Sequence, residues 1–195
     1  MTKSTEEIEV VFLEIDKDEI EKKLAEIGAK KVGDIFYRHI AFDFPDYRLE
    51  KDNSWIRLRD EGDKVTLAFK KRLGVTSQDG STNDKGMEEI EIEVGNYENT
   101  ALLLKKIGLI EKHEAEKRRI RWKKGRTFFD IDTWPEIPTL LEIEAASWEA
   151  IAEAEKELGL DPKDQKIFSV NQVYKIYGKD VNDYRKISFG GLLKK

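Results

Sequence analysis

The sequence predicts an α+β fold in which eight antiparallel strands close into a barrel, or tunnel, with a charged lumen and helices outside. Three observations support this fold class. The predicted strands follow one another mostly in hairpin order, amphipathic helices lie between or after them, and nearly every strand alternates apolar with charged residues. A chain of 195 residues is long enough for a substantial core, and we expect residues 1–195 to form a single domain.

The first half of the chain begins with a strand and a helix. Residues 7–14 alternate apolar and polar side chains, which predicts a strand. Residues 17–28 carry apolar residues at helical spacing, Asp16 can cap the N-terminus of this helix, and Gly28 can end it. The strands that follow are predicted at 34–44, 54–60, 64–72 and 88–94, with a polar loop before the last of them.

The second half contains the same mixture of elements. Residues 98–108 and 147–158 have the spacing of amphipathic helices, and Gly108 ends the first of them. From about residue 168 the chain is predicted to be helical and then irregular. Further strands are expected near 114–123, 127–133 and 139–145.

Composition limits the classes of function. Charged residues make up 38% of the chain, but the net charge is only −5, so no overall basic field would attract nucleic acid or an anionic membrane. There is no cysteine, which excludes disulfides and thiolate metal sites. His39 and His113 are far apart in sequence and are interpreted as packing or surface residues. Without a targeting segment or membrane span, we expect a cytoplasmic protein, monomeric or homodimeric.

The charged strand faces are the most informative feature of the sequence. Residues 88–94 read EEIEIEV, so a strand here places three glutamates on one face and apolar residues on the other. Other strands also have one charged face, and each is mostly acidic or mostly basic. The residues on these faces are Glu7 and Glu9, Arg57 and Arg59, Lys64, Thr66 and Lys70, Glu89, Glu91 and Glu93, Lys117, Arg119 and Arg121, Asp130 and Asp132, and Glu142 and Glu144.

Two interpretations of these faces remain open. An open sheet with one solvated face and cross-strand ion pairs explains any single strand. A closed barrel with the helices outside would bring all the charged faces into one lumen. Carboxylates bind hard divalent cations through oxygen, and lysine and arginine bind phosphate, so such a lumen fits a ligand of high negative charge held through divalent metal ions.

Five short segments resemble, in their order and spacing, the motifs of the CYTH family, whose members are also called triphosphate tunnel metalloenzymes. EIEVV resembles the family's opening ExExK motif, WIRLR its arginine strand and LAFK its lysine strand. EKRRIRW resembles its KxR strand, and DIDTWPEIPTLLEIE its closing Asp…ExE hairpin. The family includes thiamine triphosphatases, inorganic tripolyphosphatases and class IV adenylyl cyclases. The similarity runs from about Glu7 to Tyr174.

The resemblance implies an eight-stranded β tunnel that binds a triphosphate together with Mg²⁺ or Mn²⁺. It also assigns roles by position. The implied metal ligands are Glu7, Glu9, Asp132, Glu142 and Glu144, of which Glu7, Glu9 and Asp132 are also the implied catalytic residues. The implied substrate-binding residues are Arg57, Arg59, Lys70, Lys117 and Arg119, with Glu91 or Glu93 as the acid of the fifth strand. Asp130 and Arg121 share the same faces but match the motifs less closely.

One position departs from the family pattern. Val11 stands where the ExExK motif has its lysine, and valine can neither bind phosphate nor donate a proton. Since position 11 shares a strand face with Glu7 and Glu9, we expect Val11 to look into the lumen.

Three functional hypotheses follow from the resemblance. The first is metal-dependent hydrolysis of inorganic tripolyphosphate, thiamine triphosphate or a nucleoside triphosphate. The second is formation of cyclic AMP from ATP by a class IV adenylyl cyclase, and the third is non-catalytic binding of polyphosphate or nucleotide. No separate adenine-binding motif is evident in the sequence, which favours hydrolysis.

Overall fold

The computed structural model describes residues 8–73, 75–76, 82–83 and 87–195. The strands are β1 (Ile8–Phe12), β2 (Lys30–Asp43), β3 (Ser54–Asp60), β4 (Val65–Arg72), β5 (Val75–Thr76), β6 (Thr82–Asn83), β7 (Met87–Val94), β8 (Ile110–Lys124), β9 (Thr127–Thr133), β10 (Leu140–Ala145), β11 (Tyr184–Ser188) and β12 (Gly191–Lys194). The helices are α1 (Lys17–Glu26), α2 (Arg48–Lys51), α3 (Tyr97–Lys106), α4 (Trp148–Leu158) and α5 (Val170–Ile176), and none is long and apolar enough to cross a membrane.

Ten strands form one sheet. Eight of them follow the order β1-β10-β9-β8-β2-β3-β4-β7, and every neighbouring pair on this path is antiparallel. The other two strands branch from β8. Strand β11 pairs in parallel with β8, and β12 pairs with β11. The predicted antiparallel α+β architecture is therefore confirmed, whereas the predicted count of eight strands is not.

The prediction of a closed barrel is wrong for the described residues. The end strands of the path, β1 and β7, are not hydrogen-bonded to each other in this part of the chain. The outer edge of β1 is bonded elsewhere, since the backbone N–H of Val11 donates to the carbonyl of Lys166 at 2.8 Å and Lys166 donates back at 2.9 Å. Burial and the neighbouring Arg57 lower the pKa of Lys70 on β4, and Glu9 on β1 lies close enough to oppose this shift electrostatically. Because five strands lie between β1 and β4 along the path, this proximity indicates that the sheet curves.

The helices cover the apolar face of the sheet. Helices α1 and α4 pack on β1, β9 and β10 in a cluster that contains Leu24, Phe129, Ile143 and Ile151. Helix α3 covers β2 and β3 through a second cluster built on Phe42, Leu58, Ala101 and Leu104. Since strand side chains alternate, the neighbours of these strand residues in sequence project from the opposite face.

The C-terminal segment folds differently from the sequence-based expectation. Residues 184–194 were expected to be irregular, but they form the β11–β12 hairpin. This hairpin and α5 contribute Tyr174 and Ile187 to a third cluster that includes Val11 and Trp134. The Tyr174 hydroxyl donates to the Pro135 carbonyl at 2.7 Å, which fixes α5 against the loop after β9. The short helix α2 was also missed, since its residues lie in a segment rich in turn formers.

The two histidines pack inside the structure, as expected, and His113 predicts a pH dependence. Its side chain is 8% exposed, its Nδ1 has no hydrogen-bond partner among the described residues, and burial, with help from Lys112 and Lys195, lowers its pKa to about 4. Below pH 6.5 the unfolded chain therefore binds more protons at this site than the folded chain does.

The contribution of His113 to stability is complete above pH 6.5 and should fall by up to roughly 3 kcal/mol as the pH drops towards 4. In His113→Gln, the loss of unfolding free energy over this interval should be smaller by about that amount. Urea unfolding at pH 7, 5.5 and 4 measures the difference, while His39 and the carboxylates titrate in both proteins. Equal pH slopes for the two proteins would contradict the prediction.

Candidate functional site

The strand register brings the predicted site residues onto one face. Glu7 lies outside the described residues, and its role remains a prediction. Residues paired across adjacent strands project from the same face, and the pairs Glu9↔Glu144, Glu142↔Asp130 and Arg119↔Asp132 link β1, β10, β9 and β8 in this way. We call the face that carries them the charged face. By the same register it also carries Arg57, Arg59, Lys70, Glu91, Glu93, Lys117 and Arg121.

One half of the charged face, the β8–β10 wall, is a dense ion network centred on Arg119. The Arg119 guanidinium donates to both carboxylate oxygens of Asp132, at 2.7 and 2.6 Å, and also contacts Asp130 at 2.5 Å and Glu142. Lys117 donates to Asp132 at 2.8 Å, and Arg121 makes two bonds to Asp130 at 2.7 and 2.6 Å. Asp132 is fully buried, so this wall holds paired charges away from water.

The pKa shifts on this wall show which carboxylates are stabilised in their charged form and which are not. Burial, with support from Asp132 and Glu9, raises the pKa of Glu142 to about 8 although Arg119 and Lys117 act to lower it. Burial also raises the pKa of Asp132, but Arg119 and Lys117 reverse this and leave it below its usual value. Glu142 therefore carries its negative charge less readily than Asp132 does.

The other half, the β3–β7 wall, is more loosely paired. Lys70 contacts Glu89 at 2.9 Å, but the terminal nitrogens of Arg57 and Arg59 lie 3.4–3.6 Å from Glu89 and Glu91. Burial, together with the neighbouring Arg59, lowers the pKa of Arg57 to about 10. Both arginine side chains are thus largely shielded from solvent, and Arg57 has only long contacts to carboxylates, whereas Arg59 also contacts Glu61 at 2.5 Å.

The register of the EEIEIEV strand can now be compared with the two predicted alternatives. Both Glu91 and Glu93 face the charged side, opposite Ala68 and Thr66. Only Glu91 contacts the arginines, and Glu93 makes no ion pair within the described part of the chain. Glu89 was not predicted as a site residue, although it lies on the same face and pairs with Lys70 and Arg57.

Two other residues of this region were missed. Glu61 lies in the β3–β4 turn, yet its side chain is only 7% exposed and contacts Arg59 at 2.5 Å. Tyr37 on β2 lies between the two walls, with its ring centroid 5.0 Å from the Arg59 guanidinium carbon and 5.4 Å from Lys117 Nζ. The alternation of side chains along β2 could have placed Tyr37 on the charged face. No local pattern, however, indicates that the turn residue Glu61 folds back onto that face.

Val11 occupies the predicted face but not the predicted environment. It pairs with Glu142, which confirms that it projects from the charged side of the sheet. However, it is 2% exposed and belongs to the apolar cluster with Trp134, Leu140 and Tyr174. The expectation that Val11 looks into an open lumen is therefore wrong, because α5 and the loop after β9 fill this end of the charged face.

The carboxylates where the β8–β10 wall meets β1 are of the chemical type that binds a hard divalent ion. Glu9, Glu142 and Glu144 are neighbours on β1 and β10, and they offer only carboxylate oxygens, the ligands that Mg²⁺ and Mn²⁺ prefer. Burial is the main cause of the raised pKa of Glu142, and the nearby acids Asp132 and Glu9 add to it. In the described residues no three such side chains converge closely enough to hold a metal ion, and Arg119 lies among Asp130, Asp132 and Glu142 instead.

A curved antiparallel sheet with helices on its apolar face and paired acids and bases on the other defines the class of fold. The chain belongs to the CYTH domain family, whose profile matches residues 5–177. This family includes triphosphatases and adenylyl cyclases. No match was found among curated proteins.

Several solved structures share the fold. The PH1012 protein from Pyrococcus horikoshii OT3 is 24% identical with a TM-score of 0.68, over 82% of this chain and 94% of that chain. A putative adenylate cyclase from Vibrio parahaemolyticus is 11% identical with a TM-score of 0.71, over 89% and 99% of the two chains. A Hippeastrum protein, HpAC1, described as a putative adenylyl cyclase with a dominant triphosphatase activity, is 15% identical with a TM-score of 0.58, over 88% and 94%.

Proposed function

We propose that the protein is a divalent-metal-dependent hydrolase of a triphosphate, such as inorganic tripolyphosphate, thiamine triphosphate or a nucleoside triphosphate. The observation that supports this most strongly is the charged face itself. It carries buried lysines and arginines on two walls, each paired with carboxylates that a polyphosphate and its metal ions can replace. A merely solvated sheet face would not hold the side chains of Arg57, Lys70 and Arg119 at exposures of only 20%, 15% and 10%.

Binding would proceed by an exchange of ionic partners. Arg57, Arg59 and Lys70 would bind phosphate oxygens in place of Glu89 and Glu91, and the 3.4–3.6 Å contacts of the two arginines with these acids favour the exchange, while Arg59 can keep its contact with Glu61. On the opposite wall Lys117 and Arg119 would bind the other end of the triphosphate. Fixed cations around the transferred phosphoryl group stabilise the charge on its equatorial oxygens in the transition state.

The carboxylates of the β8–β10 wall have the complementary role. Glu9, Glu142, Glu144 and Asp132 would hold Mg²⁺ or Mn²⁺, which supplies neutralisation of phosphate charge and an activated water when bound. Without ligand, Asp132 is held by ion pairs with Lys117 and Arg119, and Glu142 by its contact with Arg119. Glu7, which precedes β1 and lies outside the described residues, would extend this set according to the sequence motif.

Cyclic AMP formation is the second candidate, since three of the fold neighbours are described as putative adenylate or adenylyl cyclases. The residues that bind the triphosphate would be the same, and the ribose hydroxyl would replace water as the nucleophile. The two reactions differ in their products, so one set of samples separates them.

The deciding experiment is a phosphate-release assay over tripolyphosphate, thiamine triphosphate and ATP, with Mg²⁺, Mn²⁺ or EDTA. The ATP samples are also assayed for cyclic AMP. We expect phosphate release that requires the metal. Cyclic AMP with pyrophosphate would favour the cyclase, whereas ligand-induced thermal stabilisation without any turnover would identify a binding protein.

A further inference from the structure

Three buried donor groups on the β3–β7 wall have no acceptor. They are the Thr66 hydroxyl and the Nε atoms of Arg57 and Arg59, and none has a hydrogen-bond partner in the described structure. Thr66 is only 3% exposed. A buried donor without an acceptor destabilises a protein, so three of them in one place indicate that a group which accepts hydrogen bonds belongs there.

The strand register makes these donors neighbours. Thr66 is the cross-strand partner of Arg59, and Arg57 lies two residues further along the same face of β3. The partner of Arg57 is Ala68, a small residue that leaves space next to the guanidinium. Thr66 and Ala68 therefore form a floor of small side chains beside the two arginines.

The carboxylates on β7 do not satisfy these donors. Glu93 is the cross-strand partner of Thr66 and Glu91 that of Ala68, yet neither accepts from the Thr66 hydroxyl or from either Nε. Glu91 reaches only terminal nitrogens, at 3.5 Å from Arg57 and 3.4 Å from Arg59. The missing acceptor must offer several oxygens to three donors at once, as a tetrahedral phosphoryl group does.

We propose that Thr66 is a further substrate-binding residue, whose hydroxyl donates to an oxygen of the phosphoryl group that Arg57 and Arg59 hold. This inference rests on the proposed function and adds a residue that no motif of the sequence identifies. The ligand class is a phosphoryl group within a polyphosphate chain, whether the chain is free or attached to a nucleoside.

The test compares binding of inorganic tripolyphosphate, with Mg²⁺ present, to the wild type, Thr66→Val and Thr66→Ser by isothermal titration calorimetry. Valine keeps the shape and removes the hydroxyl, while serine keeps the hydroxyl. We expect Thr66→Val to raise Kd by about tenfold and Thr66→Ser to stay within about threefold of the wild type. Thr133→Val is the matched control, because the Thr133 hydroxyl lies 3.4 Å from that of Thr139, away from these arginines; its Kd should not change.

The outcomes separate the inference from the function on which it rests. If the wild type does not bind tripolyphosphate, the proposed function fails. If the wild type binds it and Thr66→Val binds equally well, only the inference is overturned, and water satisfies the hydroxyl. A loss seen with ATP but not with tripolyphosphate would also overturn it, since the contact would then be to the nucleoside. Thermal unfolding checks each variant, and Thr66→Ala replaces Thr66→Val if that variant does not fold.

Discussion

Replacing Arg119 with methionine should lower the free energy of unfolding by roughly 3–5 kcal/mol, the cost of leaving buried charge uncompensated. Asp132 is fully buried and would lose both of its bonds to this guanidinium, and Asp130 and Glu142 would lose a contact each. Lys117 and Arg121 remain, but they cannot neutralise three carboxylates. Urea unfolding at pH 7 measures the loss.

The residue next to Arg119 supplies the matched control. Arg118 also forms a two-bond pair, with Asp34 at 2.9 and 3.1 Å, but its side chain projects from the opposite face and is 58% exposed. Solvent screens an exposed pair of this kind, so Arg118→Met should leave the stability almost unchanged. Similar losses in the two variants would mean that Arg119 does not compensate buried charge. Arg119→Lys, which keeps the charge but not the paired donors, should fall between them.

The sequence predicted the charged face well because side chains alternate between the two faces of a strand, so fixing one residue fixes the faces of its neighbours. Once residues 140–145 form a strand with Ile143 towards the helices, Glu142 and Glu144 must face the other way. The same reasoning placed Arg119 and Asp132 on one side of a hairpin, where the register then made them partners. The alternation of apolar and charged residues along a strand predicts the sheet face on which each side chain lies. The pairing between strands then determines which of these side chains become neighbours in the site.

The remaining differences come from contacts between residues distant in sequence. Val11 has the correct face, but its burial depends on Tyr174 and Trp134, which no local pattern connects to it. Within the described residues β1 likewise does not pair with β7, and its outer edge is bonded instead to Lys166, which is distant in sequence. Glu61 was missed because a turn residue with a charged side chain usually projects into solvent, whereas here Arg59 draws it inwards.

The two walls also differ in how firmly they hold their cations. Arg119 on β8 is fixed by three carboxylates at short range, whereas Arg57 and Arg59 on β3 have only longer contacts with the acids of β7. Firm pairing preorganises a group, and loose pairing leaves it ready to bind an incoming anion. We therefore expect variants on the β3–β7 wall to change substrate affinity more than they change stability.

Glu142→Gln should remove most of the response to divalent cations while the fold is retained. Burial and the neighbouring Asp132 and Glu9 already disfavour a charge on Glu142, so an uncharged amide here should not destabilise the fold, and Arg119 keeps its bonds to Asp132. An amide is a much weaker ligand than a carboxylate for a hard divalent ion, and we expect metal-dependent phosphate release to fall by about a hundredfold. Glu144→Gln should act in the same direction.

The measurement that isolates the metal is a thermal-shift titration with MnCl₂, with and without tripolyphosphate, on wild type and variants. Glu157→Gln is the control, since Glu157 lies on α4 and pairs with Lys124 away from the charged face. The control should keep the wild-type midpoint, while Glu142→Gln should need at least about tenfold more metal for the same shift. If Glu142→Gln and Glu144→Gln both respond to Mn²⁺ as the wild type does, the acids of β10 do not bind the metal. The carboxylates of β9 would then have to leave Arg119 in order to do so.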